Sequence, residues 1–514
     1  MRAGRTWLAM AGFALVAAFG VLARPLLPVD ETRYLAVAWE MRTSGDWLVP
    51  HLNGATYSHK PPLLFWLINL VWSVTGVSEI AARLIGPAFA VATIWATGRL
   101  ARRLWPQDDG AGGRAAMILA GFGVFVAYAG LTMFDAMLAL AVVLGVLALV
   151  AAGDTRRGWA AFGAALAFGG LAKGPVVLVH LLPIAVLAPL WKGLPLRRTA
   201  AGLALALGVG LALVGLWLVP AIVAGGPEYR EAVLWTQSAG RMTDAFAHAR
   251  PWWWFLALLP VVLWPWAWSP SLLRRIAALD LRADRGLRLA AVWAGSALAL
   301  FSLMSGKQIH YLIPTLPAAA LLMARAMGGD GVRALPAVLP PALLGLAFLG
   351  AAVGLVADER AARLLAPGWV MALVGLGCLG LSALGTRLRG PALAFLGLGL
   401  VAALDLAFLF GAPGRIYDAG EIAGLIAPSD AAGVGVLGDS YDGMFTFAAR
   451  LRNPVTALDR KEAAGWLAEN PDRVLVTRLD RDHTDDPPRA VVVYRNRPYG
   501  VWGGSPAPDA GDGR

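Results

Sequence analysis

Residues 132–152 read TMFDAMLALAVVLGVLALVAA, an apolar run with a single charge, Asp135, near its start. A helix needs roughly 17–25 mostly apolar residues to cross a bilayer, and this run is long enough. Applying the same criterion outward gives thirteen candidate segments, near 7–23, 81–104, 113–130, 132–152, 157–170, 174–191, 199–224, 252–272, 287–304, 309–327, 335–356, 368–386 and 391–410. The expected fold is therefore an α-helical polytopic membrane protein of about 13 transmembrane helices. The apolar stretch from Leu63 to Val74 is too short to span comfortably and follows a Pro-Pro pair, so it reads as a helix lying at the interface. Arg2 and Arg5 precede the first segment, but Pro25 and Pro28 follow it in place of a small-residue cleavage site, which favours a retained anchor over a signal peptide.

Composition points the same way. Of 514 residues, 58% are hydrophobic and 15% charged, against roughly 25% charged in a soluble protein. The 60 glycines and 33 prolines sit among apolar runs, which excludes a disordered or collagen-like chain. The single cysteine, Cys378, excludes an intramolecular disulfide and any multi-cysteine metal or redox site. Charge is divided unevenly: residues 1–414 carry 32 Lys+Arg against 18 Asp+Glu, and residues 415–514 carry 12 against 15. A basic membrane portion suits anionic lipid headgroups, and without a basic run interleaved with aromatics in a soluble segment no nucleic acid is expected as a partner.

With the N-terminus placed in the cytoplasm, alternation puts every short arginine-rich loop on one side. These loops carry Arg99, Arg102, Arg103 and Arg114, then Arg156 and Arg157, then Lys192, Arg197 and Arg198. Arg274, Arg275, Arg282, Arg285 and Arg288 follow, with Arg325, Arg333, Arg387 and Arg389. An error of one segment would scatter them across both faces. The outer face then receives two long loops, 24–80 and 225–251, and the tail from about 415. The expected organisation is a transmembrane domain over 1–414 and a small extracytoplasmic α/β domain over 415–514. In that tail Gly433–Leu437, Arg473–Thr477 and Ala490–Tyr494 read as strands and Glu462–Glu469 as a helix, with a disordered tip from Gly503.

The first outer loop is dense in ionisable groups: Asp30, Glu31, Arg33 and Tyr34, then Ser44-Gly45-Asp46-Trp47, Asn53-Gly54, Tyr57 and His59-Lys60-Pro61-Pro62. A carboxylate and an ammonium held at headgroup depth suit a phosphate-bearing lipid and a hydroxyl nucleophile; solvation of a helix end is the alternative. Asp135 is either functional or structurally paired, with Lys173 as the candidate partner. Only five lysines stand beside 39 arginines, and Lys60, Lys173 and Lys307 all fall on the outer side. Lys307 precedes His310 and Tyr311. The loop 225–251 adds Arg241, Asp244, His248 and Arg250 ahead of Pro251 and three tryptophans, which first of all form an interfacial belt.

The run from Asp30 through Lys60-Pro61-Pro62 resembles the first outer loop of glycosyltransferase family 39, within the C-type glycosyltransferase superfamily. Within that family it is most similar to the bacterial lipid A aminoarabinose (4-amino-4-deoxy-L-arabinose) transferases, with the protein mannosyltransferases as relatives. The likeness extends through Ala81–Leu84, the Asp135 segment, Lys173-Gly174-Pro175, His248–Trp252 and Lys307–Pro314, covering the first 330 residues. It implies an enzyme of the bacterial inner membrane whose active site and C-terminal domain face the periplasm. It also implies a polyprenyl-phosphate-linked sugar, such as an undecaprenyl phosphate sugar, as donor and lipid A, lipopolysaccharide core or another envelope molecule as acceptor. Asp30 would be the principal catalytic carboxylate, with Glu31 beside it and Asp135 as the second acid. Lys60 and Arg250 would hold the phosphate, with Lys307 as a further candidate, and Tyr34, Arg33, Tyr57, Lys173, His248, His310 and Tyr311 would line the substrates.

His59 stands where the family commonly has Glu. An imidazole can still ligate a divalent metal, so a metal at His59 stays open and no cofactor is firm. A monomer is expected. Without a Walker or Rossmann motif, the activation energy would reside in the donor phosphoester. A protein O-mannosyltransferase-like activity, a lipid flippase or transporter, and a non-catalytic scaffold are the rival readings.

Overall fold

The computed structural model describes residues 4–151, 155–235, 249–328, 331–355, 366–438, 440–481 and 487–504. Among them, nine helices are long and apolar enough to cross a membrane: Gly4–Ala23, Glu79–Leu104, Phe134–Ala151, Leu196–Ala224, Arg285–Leu303, Ile309–Met327, Leu335–Ala352, Gly368–Gly385 and Gly390–Phe410. Ala111–Gly121 and Gly123–Ala129 make a tenth if taken as one span, bent by 68° where Phe122 adopts an extended conformation. Three expected segments fall short. Arg156–Lys173 carries charge at both ends, and Val176–Val186 stops after 11 residues. Residues 252–272 divide at Pro265 and Pro270 into Trp254–Val262, which runs through Pro260, a 3-10 turn over Trp266–Trp268 and the start of Pro270–Ala277. The architecture is polytopic and helical, and a count of thirteen is not established.

Two compact units divide the chain. The first comprises Met1–Ala23, Ser58–Leu64 and Arg83–Ala407, and the second Arg24–Tyr57, Phe65–Ala82 and Phe408–Arg514. In the first, small residues let helices approach closely. A Cβ added to Gly345 or to Gly375 would come within 2.9 Å of the other's carbonyl oxygen, which joins Leu335–Ala352 to Gly368–Gly385 backbone to backbone. Large buried rings such as Phe122, Trp266 and Trp293 fill the rest of the core.

The second unit joins most of the outer loop to the tail. The loop is not irregular: Asp30–Ser44 is a 15-residue helix closed by Gly45 in the left-handed conformation. The loop periodicity hid this helix because most of its residues from Glu31 to Met41 are buried, leaving no single apolar stripe to read. A hairpin follows, pairing β1 (His51–Leu52) with β2 (Ala55–Thr56) across Asn53 and Gly54, both at positive φ. The short apolar helix Leu63–Thr75 forms as expected.

The tail carries a five-stranded sheet of order β4-β3-β5-β7-β6, with β3 Val434–Leu437, β4 Thr456–Leu458, β5 Val474–Arg478, β6 Ala490–Tyr494 and β7 Arg497–Gly503. β3 is parallel to β4 and β5, while β7 runs antiparallel to β5 and β6. The helix Arg460–Glu469 starts at Asp459, whose carboxylate accepts from the amides of Lys461 and Glu462. Three of these strands and the helix match the sequence reading, whereas β4 and β7 were not foreseen. The tip beyond residue 504 lies outside the described residues.

Within this unit the tail grips the Asp30 helix. The buried Trp39 Nε1 donates to the Leu451 carbonyl at 2.7 Å, and Trp72 stacks flat on Phe447 at 5.4 Å. Asn53 exchanges two bonds with the Val455 backbone, at 2.7 and 2.8 Å.

Candidate active site

In the second unit, the helix opens with Asp30 and Glu31 in its first turn, where carboxylates face the positive end of the helix dipole. Glu31 is buried, and its Oε2 accepts from the Leu27 amide at 3.0 Å, so this carboxylate steadies the chain entering the helix. Asp30 remains partly accessible. One turn on, the Tyr34 hydroxyl donates to Asp30 Oδ1 at 3.0 Å, which orients the carboxylate. Tyr34 and Tyr57 both pack on Phe65, at 6.5 and 6.2 Å. Arg33 is turned to the tail, pairing with Asp442 at 3.0 Å.

In the first unit, Asp135 is 2% exposed, and Lys173 Nζ lies 2.6 Å from its Oδ1. The same ammonium stands over the Tyr311 ring at 5.3 Å. His310 packs edge-on against Tyr311 at 4.9 Å and lies tilted against Tyr128 at 5.7 Å. Lys60 stands 6.0 Å from the centroid of Phe134, the residue before Asp135, and Lys60 and His310 are both within electrostatic reach of the Asp135 carboxylate. Residues far apart in sequence thus form one cluster of two lysines, an acid, a histidine and two tyrosines.

Arg250 is exposed, immediately before the tryptophans. Lys307 is buried, donating to the carbonyls of Arg250, at 3.0 Å, and Met304. Burial lowers the Lys307 pKa. His248, Arg241 and Asp244 lie outside the described residues. His59 is exposed, and among the described residues no group of three or more His, Cys, Asp or Glu side chains that could hold a metal ion is found.

Sequence reasoning missed His180, which is fully buried with both ring nitrogens unpartnered among the described residues and lies 5.1 Å from the Phe301 ring. Its signal was available as a lone titratable residue inside an apolar segment. Tyr128 and Asp442 carried no such signal.

The fold is shared with solved structures. It matches ArnT of Cupriavidus metallidurans bound to undecaprenyl phosphate with a TM-score of 0.74 at 22% identity, covering 97% of this chain and 98% of that one. The oligosaccharyltransferase of Archaeoglobus fulgidus matches at 0.51 and 13%, covering 92% of this chain and 69% of that one. In sequence, residues 59–219 match the family described as dolichyl-phosphate-mannose-protein mannosyltransferase. An undecaprenyl phosphate-alpha-4-amino-4-deoxy-L-arabinose arabinosyl transferase of Pseudomonas fluorescens is 35% identical over 309 residues, 57% of this chain and 52% of its own length. Its Pseudomonas aeruginosa counterpart is 33% identical over 308 residues, 58% and 55% of the two chains. The matched region thus spans about half the length of these curated relatives. The likeness to glycosyltransferase family 39 and its aminoarabinose transferases, first carried by the outer loop, is shown by these relatives.

Proposed function

We propose that this protein is an integral membrane glycosyltransferase that moves a sugar from a polyprenyl-phosphate donor to an envelope acceptor, lipid A or lipopolysaccharide core, at the periplasmic side of the inner membrane. The observation that carries the proposal is the Asp135–Lys173–Tyr311–His310 cluster with Lys60 beside it, built largely from the segment that matches the family. Sorting of the arginine-rich loops supports the orientation.

The chemistry is a single displacement at the anomeric carbon. The acceptor hydroxyl attacks as the bond to the polyprenyl phosphate breaks, inverting the centre, and the electron pair leaves on the phosphate oxygen. Asp30, oriented by Tyr34, accepts or orients the acceptor proton. Phosphate is a weakly basic leaving group, so cations matter more than a general acid, and Lys60 and Arg250 supply them. Asp135 is committed to Lys173; its part is to hold that ammonium against the Tyr311 face. Envelope lipids from a strain lacking the gene test the proposal. The expected result by mass spectrometry is loss of one sugar increment from lipid A or core, restored by the wild-type gene and not by Asp30→Asn. Unchanged lipids would reject the acceptor class.

A further inference from the structure

Lys307 is a cation at 3% exposure on the outer side of the expected topology, beside Arg250, one of the groups assigned to the phosphate. Two of its three donors are already engaged. The ammonium donates to the Met304 carbonyl, at the C-terminal end of Arg285–Leu303, and at 3.0 Å to the carbonyl of Arg250. A helix C-terminus carries partial negative charge, and a buried ammonium needs oxygen acceptors, so each satisfies the other. The backbone ties the same two segments together. The Arg250 amide donates to the Ser305 carbonyl at 3.1 Å, and Ala249 bridges to Gly306 in antiparallel fashion. What this knot leaves exposed is the side chain of Arg250.

Resting on the reading of Arg250 as a ligand of the donor phosphate, we infer that Lys307 is a positioning residue that fixes the Arg250 backbone and so aims its guanidinium. Bound between two carbonyls, the Lys307 ammonium is not itself presented to the lipid. Replacing it with an apolar side chain leaves both carbonyls short of a donor and frees the Arg250 segment, so ordering the guanidinium is then charged against donor binding.

The test uses the full-length protein in lipid nanodiscs, with undecaprenyl phosphate as probe and four variants: Arg250→Ala, Lys307→Met, Lys307→Gln and the Arg250→Ala/Lys307→Met double. Arg250→Ala should weaken binding roughly ten- to hundredfold, the scale of one charge-assisted hydrogen bond. Lys307→Met should weaken it roughly tenfold, and Lys307→Gln, which keeps an uncharged N–H donor group, by less. The double variant should be no worse than Arg250→Ala alone, because Lys307 acts only through Arg250. The KM for acceptor should not move. Additive losses in the double variant, or wild-type affinity in Lys307→Met beside a defective Arg250→Ala, would overturn the inference and leave the phosphate reading standing. If Arg250→Ala binds normally, that reading fails instead. Hydrogen exchange at the Arg250 amide then decides the positioning claim by itself: faster exchange in Lys307→Met upholds it, and unchanged exchange overturns it.

Discussion

Replacing Lys173 with methionine keeps an unbranched side chain of similar bulk and removes the ammonium, with its charge and its hydrogen bond to Asp135. In the native protein Lys173 Nζ lies 2.6 Å from Asp135 Oδ1, and the two side chains are 13% and 2% exposed. The substitution therefore strands a carboxylate that water barely reaches. Removing one partner of a buried pair costs about 3–5 kcal/mol, roughly two to four orders of magnitude in the folding equilibrium. The double variant Asp135→Asn/Lys173→Met carries neither buried charge and should regain most of that stability, while staying defective in transfer because nothing then holds a cation over Tyr311. Detergent-solubilised protein, unfolded by denaturant and followed by tryptophan fluorescence, measures both. A Lys173→Met variant as stable as wild type, or a double variant as unstable as that single one, would refute the buried-pair reasoning.

Asp30→Asn should leave folding intact and slow transfer by about 10²–10⁴-fold, while Tyr34→Phe, which removes one hydrogen bond to Asp30, should cost about tenfold or less; steady-state turnover separates them. Burial raises the Glu40 pKa above 4.5 against the bonds from the Gly54 and Asn53 amides. Between that value and its raised one the folded state holds a proton that the unfolded state has lost, so stability should fall as pH rises through the window, and Glu40→Gln should flatten the profile measured by denaturation at stepped pH. Asn53→Gly keeps the positive φ and removes only the amide that clasps Val455, so it should cost about 1–3 kcal/mol and speed protease cleavage in the tail. In a Cys378→Ser background with a permeabilised outer membrane, an impermeant thiol reagent should label a cysteine placed at 440 and not one at 280; the reverse would invert the topology.

The membrane architecture was legible because hydrocarbon imposes a length and a polarity that no spanning helix escapes. Spans such as Phe134–Ala151 therefore lie within a few residues of where the sequence puts them. The 252–272 segment failed for a local reason, since Pro265 and Pro270 outweigh apolar composition. The Asp30–Ser44 helix was invisible because burial on most sides erases amphipathic periodicity. In the site, the pairing of Asp135 with Lys173 could be raised from parity along the chain, since both fall at outer turns. The engagement of Lys307 by two carbonyls, and of Arg33 by Asp442, depends on tertiary neighbours that no spacing reveals.

Sugar transfer itself is tested most directly with purified protein in liposomes, supplied with a polyprenyl phosphate carrying a radiolabelled 4-amino-4-deoxy-L-arabinosyl group and with lipid A. The expected result is labelled lipid A appearing in step with free polyprenyl phosphate, and neither product with Asp30→Asn. Donor that stays intact with wild-type protein, or is consumed equally by wild type and Asp30→Asn, would contradict the account.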